Sequence, residues 1–130
     1  MHSNQFFVIV ALIGFVVLGI AAMKPPDSNH KNLQILPKDI SDQQLDSIMH
    51  SYNDALGVNC KFCHVPVTGF PDSLDFASDA EPMKEEARKM LRMNIYINKT
   101  YFYFDKNIRP EYLKTVTCNT CHQGEAFPEQ

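Results

Sequence analysis

The 130 residues carry 12 Lys and Arg against 15 Asp and Glu, a net charge of −3 at pH 7, with 45% apolar residues, four Cys and no Trp. That length holds one small domain plus an appendage, and the absence of any basic run argues against nucleic acid as a partner. So small a domain buries little apolar surface of its own, which favours a fold completed by a cofactor.

None of residues 1–23 is Asp, Glu, Lys or Arg, and Phe6 to Met23 is an unbroken run of apolar and small residues. It approaches the ~20 residues needed to cross a bilayer and exceeds the usual ~7–15 residue core of a signal peptide, so an N-terminal transmembrane helix is expected over 1–23. The small residues Gly19-Ile20-Ala21-Ala22 keep a second outcome open, a signal cleaved to leave a soluble periplasmic protein. Residues 24–34 are polar with a Pro pair and read as a tether. The domain proper is expected over 35–130, opening on a short apolar patch, Leu33, Ile35 and Leu36, that packs as a brief strand or staple.

Ser41 and Gln44 have the spacing of a capping box and open a helix. Leu45, Ile48, Met49, Tyr52 and Leu56 recur on one face of it, and Gly57 is placed to end it. Cys60-Lys61-Phe62-Cys63-His64 follows at once. Residues 65–77, with Pro66, Gly69 and Pro71, read as a loop whose Phe70, Leu74 and Phe76 can cover an apolar group. A second helix is signalled by Ser78 or Asp79 as cap and Pro82 in the first turn, and runs to about Asn98 with Met83, Ala87, Met90, Leu91, Asn94 and Ile97 on one side. An aromatic cluster at 101–104 and a helical turn near Pro110, carrying Tyr112 and Leu113, lead to Cys118-Asn119-Thr120-Cys121-His122. The chain is a mostly α near-repeat of helix and motif.

Both motifs place two thiols three positions apart with a histidine directly behind, the spacing of covalent c-type haem attachment. Two sulfurs join the two vinyl groups of one porphyrin, and the adjacent imidazole then reaches the iron from below. Cys60, Cys63, Cys118 and Cys121 are therefore expected to hold two covalent haem c groups, with His64 and His122 as proximal ligands. A four-thiolate zinc site would need its two pairs about 15–20 residues apart, far closer than here. Structural disulfides would leave the repeated histidine unexplained. Haem attachment of this kind occurs outside the cytoplasm, which places residue 24 onward on the periplasmic side of the inner membrane.

A second axial ligand closes the iron to substrates, and a methionine thioether raises its potential. Met49 is favoured at the first site because it shares the face of Leu45, Ile48 and Tyr52 just ahead of Cys60. At the second, spacing leaves Met90 and Met93 both open. His50 points aside from the apolar face and is expected in solvent.

Asn32-Leu33-Gln34-Ile35-Leu36, Leu56 to His64, Phe76-Ala77-Ser78-Asp79, Ala87 to Met93, Ile97-Asn98 and Val116 to Gly124 together resemble the multihaem c-type cytochrome subunit of photosynthetic reaction centres. In that family the distal methionine comes from the helix preceding each motif, which implies Met49 for the first haem and Met90 for the second. The family member that serves reaction centres holds four haems in two halves, and this chain resembles one two-haem half. Service to a reaction centre does not follow from half the cofactors; a respiratory oxidase or another periplasmic enzyme is an equal destination.

The function expected is single-electron transfer between redox partner proteins, with no chemical transformation and no small-molecule substrate. Two rivals are a peroxidase-like haem enzyme with one open iron, and a haem-free zinc or disulfide module for protein contacts.

Overall fold

The computed structural model describes residues 32–129. The expected membrane segment 1–23, and the tether up to residue 31, lie outside them; among the described residues no helix is long and apolar enough to cross a membrane.

Helix α1 (Asp42–Leu56) begins as its sequence dictates. Ser41 is extended, and its hydroxyl accepts from the Gln44 N–H at 3.2 Å, satisfying one of the donors a helix start leaves unpaired. Its end is Gly57 at φ 64°, the left-handed conformation that glycine adopts without a Cβ penalty. The patch ahead of α1 forms no strand: Leu36 is buried, and Ile40, turned back by its N–H to the Pro37 carbonyl at 3.2 Å, is buried beside it.

Residues 65–77 are not a loop throughout. Strands β1 (Val65–Val67) and β2 (Phe70–Asp75) pair antiparallel, with Val65 opposite Asp75 and an irregularity between Pro66 and Val67. Pro66, Gly69 and Pro71 punctuate a hairpin here: Gly69 takes φ 83° in the connection, and Pro66 sits beside the irregularity, where a missing N–H does least harm.

Helix α2 (Pro82–Tyr101) starts later than either expected cap. Asp79 is drawn into an ion cluster and Ser78 turns its hydroxyl to the Ala80 N–H at 3.2 Å, so Glu81 caps, accepting from the Met83 N–H at 3.5 Å ahead of Pro82. The helix also runs past Asn98 to Tyr101. The turn Pro110–Tyr112 packs on α2, and a short helix α3 (Cys118–His122) packs on α1.

The buried core among the described residues is Leu36, Ile40, Ala55 and one amide, Asn98, while Phe70, Phe76, Phe104 and Phe127 stay more than half exposed. The polypeptide's own apolar burial is therefore slight.

Candidate haem attachment site

The two motifs adopt closely similar entries. Asn59 (φ −117°, ψ 174°) caps a single 3-10 turn, Cys60–Phe62, and Thr117 (φ −123°, ψ 170°) caps α3. Each cap uses its side chain: Asn59 Oδ1 accepts from the Lys61 N–H at 3.0 Å, and Thr117 and Thr120 satisfy each other's backbone reciprocally. A helical turn entered this way puts residues three apart on one side, so the paired sulfurs share a face and the histidine follows on the next step. All four cysteines are unpaired thiols, and among the described residues no three His, Cys, Asp or Glu side chains gather into a metal-binding group.

The two imidazoles are held differently. His122 Nδ1 lies 2.8 Å from the Glu125 carbonyl. A carbonyl only accepts, so Nδ1 carries the proton and Nε2 keeps the lone pair a metal needs. His64 meets the Phe76 ring edge-on at 5.0 Å, and its Nδ1 is buried without a hydrogen-bond partner. Burial, reinforced by the positive charges of Lys84 and Arg88 and only partly opposed by Asp75, pushes the His64 pKa down. Burial likewise pushes up the Cys63 and Cys118 thiols. Paired thiols able to add to porphyrin vinyl groups, each followed by an imidazole, fit the chemistry of a covalently held haem.

Part of the apolar face of α1 turns toward the second motif. Ile48, Tyr52 and Ala55 line a cleft of about 250 Å³ with Leu91 and Asn94 of α2 and with Cys118. Burial there pushes the Tyr52 hydroxyl pKa well up. Met49, one step round the helix from Ile48, is half-buried and does not line the cleft; Met90 and Met93 are 44% and 49% exposed on α2. Among the described residues no methionine lines this cleft. His50 stands in solvent, 3.6 Å from Asp46, as expected.

Sequence reading passed over the contacts that bind the motifs to the rest of the fold. The Gly124 N–H donates to the Ala55 carbonyl at 2.9 Å, tying the residue just beyond the second motif to the helix just before the first. Phe62 and Phe127 meet edge-on at 6.3 Å across the same junction. Beside the first motif, Lys84 Nζ donates to the Phe76 and Ser78 carbonyls at 3.0 and 2.6 Å and pairs with Asp79 at 3.1 Å, where Arg88 joins at 2.9 Å and Asn32 at 2.8 Å. Only the Asn-and-Gly punctuation around each motif could have signalled these.

Comparison with known proteins agrees with this chemistry. Residues 21–130 match the photosynthetic reaction centre cytochrome C subunit family. Cytochrome c-554 of Chloroflexus aurantiacus is 36% identical over 97 residues, 74% of this chain, which spans 21% of that relative's length. No solved structure matches. The two-motif arrangement thus sits within a chain that belongs to the photosynthetic reaction centre cytochrome C subunit family, a family of haem c electron carriers.

Proposed function

We propose that the chain is a dihaem cytochrome c that passes single electrons between redox partner proteins on the periplasmic side of the inner membrane, tethered there by the apolar segment Phe6 to Met23. Cys60 and Cys63 would hold one haem and Cys118 and Cys121 the other, with His64 and His122 as proximal ligands and Met49 and Met90 as distal ones. The observation that carries this reading is the pair of capped helical turns, each presenting two thiols and an imidazole. Bound haem supplies the one-electron iron couple. The chain's own part is to hold the iron by thioether-linked porphyrin and two side chains, to lay apolar rings such as Phe76 on the proximal imidazole, and to leave no coordination position for a substrate. Slight burial by the polypeptide alone supports two large apolar groups as partners in the core.

Intact mass and a pyridine haemochrome assay on the matured full chain should report two haems. Met49→Ala and Met90→Ala should each lower the potential of one haem, or open it to carbon monoxide. One haem per chain, or a methionine-to-iron optical signature untouched by both substitutions, overturns the assignment.

A further inference from the structure

Asn98 is the one fully buried polar side chain among the described residues, and nothing in the haem chemistry above uses it. Its amide spends both functions on a single residue. Nδ2 donates to the Val116 carbonyl at 2.7 Å, and Oδ1 accepts from the Val116 N–H at 2.9 Å. This is the pattern by which one strand recognises another, supplied here by a side chain on a helix. Asn94, one turn earlier on α2, also donates to the Val116 carbonyl at 3.0 Å and accepts from Asn98 Nδ2 at 3.3 Å. Val116 stands two positions before Cys118. On the far side of the motif, Gly124 is fixed to Ala55, two positions after His122.

The second motif is thus gripped through the backbone on both sides, by residues outside the motif itself. We propose that Asn98, seconded by Asn94, is a positioning residue for the second attachment motif: by clamping Val116 it fixes the direction in which Cys118, Cys121 and His122 are presented to haem. This rests on the reading that haem is joined there. The geometry explains why an amide is required. An apolar side chain of the same size fills the space but leaves the Val116 N–H unpaired and its carbonyl to Asn94 alone, and a carboxylate answers the N–H while opposing the carbonyl.

The test uses the full chain with its haems attached. Haems per chain are counted by intact mass, and the two potentials are separated by redox titration; Cys118→Ser with Cys121→Ser, keeping only the first haem, assigns them. Asn98→Leu should cut two haems to one, or shift the second-motif potential and leave the first where it was. Asn98→Asp should fall between it and the parent. If Asn98→Leu does not fold, Asn94→Ala, which removes one of the two bonds to the Val116 carbonyl, should shift the second potential alone by less. Two haems and two unmoved potentials in whichever of these variants folds overturn the proposal. The underlying reading fails separately: it is lost if the parent chain has the same haem count with and without Cys118 and Cys121.

Discussion

Gly57→Ala is the substitution for which the geometry gives the firmest expectation. A Cβ at this position would lie 2.0 Å from the Gly124 carbonyl oxygen and 3.0 Å from its carbon, both backbone atoms with no side chain to swing aside. Two costs then add. Holding a non-glycine residue at φ 64° costs about 1 kcal/mol. Driving Gly124 back to van der Waals distance also pulls its N–H off the Ala55 carbonyl, a net loss of about 0.5–1.5 kcal/mol, with loosening of the adjoining Phe62 and Phe127 contact besides. The two together, about 1.5–2.5 kcal/mol before any loosening of the aromatic contact, are a large share of the roughly 5–15 kcal/mol that holds a domain together. Denaturant unfolding of the full chain measures it, with Gly69→Ala as the control: Gly69 has φ 83° but nothing within 4 Å of its Cβ position, so only the backbone cost of about 1 kcal/mol applies. Equal destabilisation by the two substitutions would refute the junction between Gly57 and Gly124.

Two further predictions concern the frame around the motifs. Ile40 is 2% exposed in a very small core, so Ile40→Ala should cost about 2–4 kcal/mol by thermal unfolding, and a loss under 1 kcal/mol would mean that this segment does not pack. The Asp79 carboxyl is held far below its ordinary value by hydrogen bonds from Arg88, Asn32 and Lys84. A carboxyl depressed in the folded state contributes stability that is complete above the unfolded value of about 3.9 and is lost as the pH falls from there toward the folded one. Unfolding midpoints across acid pH should therefore drop below about pH 4 in the parent and drop less steeply in Asp79→Asn; parallel curves would show that the cluster does not form in solution.

What the residues disclosed and what they hid divide along a physical line. Ser41 and Gly57 were legible because caps act within a few residues of themselves, and both do what their types predict. The two Cys-x-x-Cys-His motifs could be picked out for the same reason, since each lies within five residues. Val65 to Asp75 was misread because Pro66, Gly69 and Pro71 mark a tight connection as readily as a loop, and the alternation of Val65, Val67 and Leu74 is too short to decide. Asp79 looked like a cap and became the hub of an ion cluster, because Arg88 and Lys84 approach it from α2 only once that helix has formed. The face of α1 that meets Cys118, and the clamp of Asn98 on Val116, depend on residues distant in sequence, and periodicity along one helix says nothing about which neighbour it will find.

The bond between Ala55 and Gly124 also bears on the order of events in folding. A chain made from its N-terminus presents α1 and the first motif long before residue 124 exists. Until then the end of α1 has no partner for its carbonyl, and the loop to be closed is most of the domain, so the entropy of closure is met late and in one step. Folding should therefore be slow for so helical a protein, and limited by arrival of the second motif. Loss of the few residues after His122 would loosen the end of α1, distant in sequence, as well as the His122 imidazole that Glu125 holds.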